Sequence, residues 1–154
     1  MNLCLSRTLR SDPSLSIPML SDTIAATLTW TDDLVFTGGP PGGPSVTLDG
    51  DGSRGPSPMV ALLLAAAGCT GADVVSILRK MRVELRVCRI EITGTRRAEA
   101  PRRYLALHLC YHLAGVGLDE ARARRAVELS LEKYCSVMHS LAPDIRVTHD
   151  IALG

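Results

Sequence analysis

Aromatic residues are scarce in this chain: one Phe, one Trp and three Tyr make up 3% of 154 residues. Within a hydrophobic content of 46%, the core must therefore be built from Leu, Val, Ile and Ala. Charge of one sign is also missing. Lys and Arg number 17 against 16 Asp and Glu, leaving a formal +1, and neither sign gathers into a long block. This argues against nucleic-acid binding, which calls for a basic stripe interleaved with aromatics. The nearest candidate, Arg96-Arg97 with Arg102-Arg103, surrounds Pro101 and reads as a solvated hairpin turn. The five cysteines include no CxxC, and their odd number and irregular spacing argue against a disulfide framework.

Met1–Leu20 has no apolar stretch long enough for a signal peptide. With Arg7 and Arg10 among Ser and Pro, residues 1–20 are expected to form a flexible extension, and Met19 is a candidate start. The longest apolar run, Pro56–Ala72, is shorter than the roughly 20 residues of a bilayer span. Asp73, Arg79 and Lys80 follow it on the same helix. A buried core helix in a cytoplasmic protein without a membrane partner is the expectation.

What is present reads as a single α+β domain over residues 21–154, in the order βββ-α-ββ-α-β. From Thr23 the pattern has period two, with Ile24, Ala26, Leu28 and Trp30 on one face of a half-buried strand. Leu34–Phe36 and Ser45–Leu48 complete a three-stranded meander around a Gly/Pro-rich connection. Asp49-Gly50-Asp51-Gly52-Ser53 suggests a calcium loop. The sixth and twelfth positions of such a loop need Gly and Glu but hold Arg54 and Val60, so the segment is a turn.

Ser57-Pro58 is a strong helix start, a capping hydroxyl followed by Pro at the first helical position. This helix should run to about Arg82, with Arg79, Lys80 and Arg82 suiting its C-terminal dipole. Its first half is apolar all round, which predicts burial on every side. That needs more cover than six strands and one other helix readily give in one chain, and a homodimer burying the central helices is a natural solution. Leu85–Thr93 and Tyr104–Leu113 read as long strands, the second with Leu105, Leu107, Leu109, Tyr111 and Leu113 on one face. A helix capped by Asp119 through about Tyr134 and a strand Ile145–Leu153 complete an arrangement of helices against antiparallel sheet.

The residues that invite chemistry are cysteines. Cys69 lies in the apolar helix between Gly68 and Gly71, and Cys135 follows Lys133-Tyr134 at the end of the second helical segment. A thiol in a helix core is either inert packing or a shielded nucleophile. Asp73, four residues after Cys69, would disfavour a thiolate if the two side chains face each other. Cys69 is also about three turns into its helix, beyond the reach of the N-terminal dipole. Cys88 is in a strand without an acid–base partner, and Cys4 is in the extension. Cys110 shares a strand face with His108 and His112. Such a set could ligate zinc, but a fourth ligand is not evident and a polar strand face is the better reading. His139, four residues after Cys135, could tune it.

Two segments carry a family resemblance. One runs from Gly55-Pro56-Ser57-Pro58-Met59 through Ala66-Ala67-Gly68-Cys69-Thr70 to Asp73-Val74-Val75-Ser76-Ile77-Leu78. The other is Ala126-Val127-Glu128-Leu129-Ser130 leading into Glu132-Lys133-Tyr134-Cys135-Ser136-Val137. From about Thr27 onward the chain resembles the OsmC/Ohr family of osmotically inducible and organic-hydroperoxide-resistance proteins, which are thiol peroxidases. It is closest to the general OsmC-like branch. The resemblance implies an intertwined α+β homodimer with its active site at the subunit interface, and no cofactor or metal. It makes Cys69 the peroxidatic cysteine, whose sulfenic acid condenses with the resolving Cys135 to a disulfide that a dithiol reductant reopens. The family's peroxidases add an N-terminal Arg paired with a Glu near the start of the central helix. Here no Lys or Arg occurs from Ser11 to Ser53, and Val60 holds the Glu position. Only the two cysteines carry over. The alternative is a dimeric binding module for a small hydrophobic ligand, with Cys69 as packing or a redox-sensing thiol.

Overall fold

A computed structural model describes residues 22–154. The expected flexible extension over residues 1–20, with Cys4, lies outside the described residues. Six strands form two three-stranded sheets. The first sheet is the meander β1 (Thr27–Asp32), β2 (Val35–Gly39) and β3 (Val46–Asp49), paired antiparallel throughout. The helix α1 (Pro58–Lys80) follows. The second sheet holds β4 (Glu84–Arg96) and β5 (Tyr104–Val116), then β6 (Arg146–Leu153) after the helical segment. The expected order holds. The expectation of purely antiparallel sheet does not, because β6 lies parallel to β5, from Ala106 beside Arg146 to Leu113 beside Leu153. A crossover through helix, not a hairpin, connects these two strands, and a crossover is what permits parallel pairing.

The Asp49 turn shows why it is no calcium loop. Its carboxylate accepts the N–H groups of Asp51 (3.0 Å), Ser53 (3.1 Å) and Arg54 (2.9 Å) and the Ser53 hydroxyl (2.9 Å). The Arg54 N–H, first among these donors, holds the Asp49 carboxyl down at about 2. Its lone pairs are already committed. Ser57 caps α1 by accepting the Val60 N–H at 3.4 Å, and Arg79 and Lys80 occupy the last turn. The arginines about Pro101 are likewise tied down: Arg97 Nε donates to the Glu99 carbonyl at 3.0 Å and Arg103 pairs with Asp144.

The core lies between α1 and the inner face of the second sheet. Val74 and Leu78 of α1 meet Leu109, Tyr111 and Leu113 of β5, and α2 (Glu120–Leu129) adds Ala123, Ala126 and Val127. The alternation expected along β5 holds from Leu107 to Leu113 but fails at Leu105, which is exposed. A bulge opposite Thr95 and Arg96 shifts the register there, turning Tyr104 inward instead. Its hydroxyl donates to the Met59 carbonyl at 2.8 Å. Gly94 leaves room for that ring, since a Cβ at this position would sit 2.3 Å from it.

Two burial expectations are corrected within the single chain. Much of the first half of α1 is open, with Val60, Leu62 and Leu64 exposed, because among the described residues the core packs against the flank carrying Val74 and Leu78. The apolar face of β1 is open as well, Leu28 and Trp30 being 53% and 62% exposed. At 23 residues, α1 runs close to the length the sequence predicts, and it is long and apolar enough to cross a membrane by length and composition alone. Its inner face instead packs Thr70, Val74 and Leu78 against the protein.

Candidate functional site

Helix α1 sets Cys69 and Asp73 one turn apart on one flank, both partly buried. The second thiol arrives by a less regular route. Where the sequence predicts helix through Tyr134, α2 ends at Leu129 and a π-helical turn spans Ser130–Tyr134, its closing bond running from the Cys135 N–H to the Ser130 carbonyl at 2.9 Å. Such turns insert one extra residue per turn and recur at functional sites. Ser130 is buried, and its hydroxyl donates to the Asp73 carboxylate at 2.9 Å. Cys135 then leaves the turn in an extended conformation and caps a short helix, α3 (Ser136–His139).

The sulfurs of Cys69 and Cys135 and a carboxylate oxygen of Asp73 lie within 4.8 Å of one another. Residues 66 positions apart in sequence thus meet at one point.

The two thiols differ in surroundings. Cys135 is fully buried, whereas Cys69 is reached by solvent. Burial pushes the Cys135 thiol up to about 11, and the neighbouring Cys69 adds to the rise. The N–H of Met138, 3.4 Å from the sulfur, works in the opposite direction. His139, expected as a tuning group, is exposed; the Met138 amide takes that place.

A family model described as OsmC-like protein matches residues 50–150, which include both thiols and Asp73. The chain belongs to the OsmC-like family. It is 42% identical over 125 residues to Protein YhfA of Escherichia coli K12, covering 80% of this chain and 93% of that one. The fold matches a hypothetical protein from Aquifex aeolicus with a TM-score of 0.75 at 28% identity, over 87% of this chain and 99% of the other. It also matches an organic hydroperoxide resistance protein from Legionella pneumophila, with a TM-score of 0.60 at 14% identity over 85% and 97% of the two chains.

Arg54, the nearest basic residue before α1, is held by Asp32 at 2.8 Å and Asp33 at 3.4 Å on the meander. Among the described residues, no Arg or Lys pairs with Asp73 or with either thiol. Val60 is exposed at the helix start. The donor set of Cys69, Asp73 and Cys135 could also hold a thiophilic metal ion.

Sequence reasoning treated Asp73 only as an adverse charge and missed Ser130 and Tyr111. Tyr111 is fully buried on the inner face of β5, and its hydroxyl has no hydrogen-bond partner. Burial raises this phenol to about 12, with the charges of Cys135, Cys88 and Asp73 adding to the effect. Thr70 works against the rise, but it donates its own hydroxyl to the Ala67 carbonyl at 3.1 Å. A tyrosine within an alternating apolar strand gives no signal in sequence that its hydroxyl ends beside a cysteine. A groove of about 650 Å³ runs between α1 and β4 past Leu64, Gly68, Gly71, Arg79 and Cys88 and is lined by neither Cys69 nor Cys135.

Proposed function

We propose that the chain is a cysteine-based peroxidase that reduces organic hydroperoxides, and that Cys69 and Cys135 are its attacking and resolving thiols. The observation that carries this reading is the meeting of an accessible and a fully buried sulfur within 4.8 Å, beside a carboxylate. The Cys69 thiolate attacks the peroxide oxygen and the O–O bond breaks. An alcohol leaves with a proton, and Cys69 becomes a sulfenic acid. Cys135 then attacks that sulfur, hydroxide departs as water, and a disulfide remains. A dithiol reductant supplies two electrons and two protons to restore both thiols. Asp73, held by Ser130, is the group placed to take the Cys135 proton during resolution.

The working unit in this reading is a homodimer in the cytoplasm. A second copy is the natural cover for the open face of α1 and for Leu28 and Trp30 of β1. Organic hydroperoxides are favoured over hydrogen peroxide because the helix beside Cys69 is apolar, with Leu62 exposed two turns before it and Ala66 buried one turn before it. The groove along α1 supports a second reading, a binding module for a small hydrophobic ligand.

One experiment separates the two: consumption of cumene hydroperoxide and hydrogen peroxide with a dithiol reductant, for wild type, Cys69→Ser and Cys135→Ser. The peroxidase reading requires Cys69→Ser to abolish turnover and Cys135→Ser to slow it after the first equivalent, because the dithiol must then reduce the Cys69 sulfenic acid directly. Unchanged consumption in Cys69→Ser rules it out.

A further inference from the structure

The outer face of the second sheet, remote from the thiol pair, carries a separate set of ligand-type side chains. Glu91 of β4, Cys110 of β5 and Asp150 of β6 are register partners across the three strands, with His108 and His112 two residues to either side of Cys110. The strand alternation that points Leu109, Tyr111 and Leu113 into the core turns these side chains outward. Acidic side chains of the neighbouring strands divide the two histidines. His108 turns to β6, with Nδ1 2.9 Å from the Thr148 hydroxyl and Nε2 3.5 Å from Asp150. His112 turns to β4, with Nε2 3.6 Å from Glu91 Oε2.

We propose that Glu91, Cys110 and His112 form a binding site for zinc(II). One donor atom from each lies within 4.8 Å of the other two. Tetrahedral zinc, with bonds of about 2.0–2.3 Å, separates its donors by roughly 3.3–3.7 Å, and the Glu91–His112 pair already stands at 3.6 Å. Two details of the free site support occupancy by a cation. The Nε2 atom of His112 is shielded from solvent and has no hydrogen-bond partner, an orphaned nitrogen that a metal would satisfy. Arg89 pairs with Oε1 of Glu91, leaving Oε2 directed to His112. Arg89 thus orients the ligand as outer-shell groups do in metal sites. A thiolate, an imidazole and a carboxylate suit zinc(II), and three protein ligands leave one position for water or an exogenous group. Binding deprotonates Cys110 and releases its proton to solvent.

The site is tested by titrating the fully reduced protein with Co²⁺ and then displacing it with Zn²⁺. One equivalent of Co²⁺ should produce a thiolate-to-metal charge-transfer band that Zn²⁺ abolishes. Cys110→Ser should remove the band, and His112→Ala or Glu91→Gln should weaken binding at least about tenfold, by comparison with the 10–100-fold cost of losing an outer-shell partner. Cys69→Ser and Cys135→Ser should leave it unchanged. No band in the wild type, a band that survives Cys110→Ser, or one lost with Cys69 or Cys135 overturns the proposal. Zn²⁺ should also protect Cys110 of the wild type from alkylation, read by peptide mapping, and unprotected labelling would count against the site whether or not the variants fold. Peroxide consumption by Cys110→Ser should match wild type, so failure of the metal site and failure of the peroxidase reading are distinguishable.

Discussion

Replacing Tyr111 with Phe should make the protein more stable. The Tyr111 side chain is fully buried and its hydroxyl has no hydrogen-bond partner. A polar group in that position costs about 1–3 kcal/mol of desolvation that no bond offsets. Phe retains the ring and leaves no cavity large enough to matter, so Tyr111→Phe should recover about 1 kcal/mol of that cost. In a chain of 154 residues this corresponds to a rise of roughly 2–4 °C in Tm. Urea and thermal unfolding of the reduced protein at neutral pH would measure both quantities. The same variant should form the Cys69–Cys135 disulfide more slowly after one equivalent of cumene hydroperoxide. The phenol is a neutral group whose raised pKa registers the charges of Cys135 and Asp73, and no described Arg or Lys pairs with either. A variant that is more stable yet slower would show that the hydroxyl is kept at a structural cost for the chemistry. Destabilisation by 1 kcal/mol or more would refute the reasoning, since it would mean that the hydroxyl has a partner in the folded protein.

Alkylation of the reduced protein at pH 8 should label Cys69 and spare Cys135, with Cys135 labelling increasing only as pH approaches the raised value of about 11; equal labelling at pH 8 would contradict its burial. Because both Cys135 and Tyr111 bind their protons more tightly in the folded state, with Tyr111 near 12, their contribution to stability is complete below about pH 9. It should disappear as pH rises from about 9 to 12, and denaturant midpoints across that range would show the decline, reduced in Tyr111→Phe. At the acid end the sign reverses. The depressed Asp49 carboxyl, near 2, contributes above about pH 4 and loses its effect as pH falls toward 2, an acid sensitivity that should be absent in Asp49→Asn. Asp73→Asn should leave alcohol release from the first peroxide equivalent intact while slowing disulfide formation, seen by mass spectrometry as more Cys69 sulfenic and sulfinic acid; unchanged resolution would remove Asp73 from the proton path.

The elements legible in the sequence were those whose signal is local. Ser57-Pro58 marks the start of α1 by capping chemistry, and the period-two pattern in Leu107–Leu113 marks β5 by burial on one side. Less legible was anything set by a non-local partner. The parallel placement of β6 depends on where the crossover ends, and the Leu105 bulge depends on Thr95 and Arg96 across the sheet. The site divides in the same way. The motifs identified Cys69 and Cys135, but the π-helical turn that presents Cys135 has no residue signature, since Ser130–Tyr134 reads as ordinary helix. Ser130 and Tyr111 acquire meaning only when two helices and a strand are packed together. Asp73 was visible one turn from Cys69, but its hydrogen bond to Ser130, 57 residues away, was not.

In the proposed peroxidase reading, burial suits the two thiols to different tasks. A sulfur that must meet a bulky hydroperoxide has to be reached from outside, and Cys69 is the one that is. A resolving sulfur has to remain unreactive toward peroxide until its partner is oxidised, and a protonated, fully buried thiol does so. The Met138 amide opposes that protection by stabilising charge on the Cys135 sulfur, so the thiol is restrained but not permanently inert. Oxidation of Cys69 changes the balance again. Its sulfenic acid offers an electrophile within a few ångströms, and Asp73 is near enough to both sulfurs to accept the proton Cys135 must lose. In the proposed reading, this carboxylate acts on the second step, at Cys135. With Arg54 committed to Asp32 and no described Arg or Lys paired with either thiol, that reading expects slow attack followed by faster resolution. The reaction should therefore be limited by alcohol release, with no accumulation of sulfenic acid in the wild type during turnover.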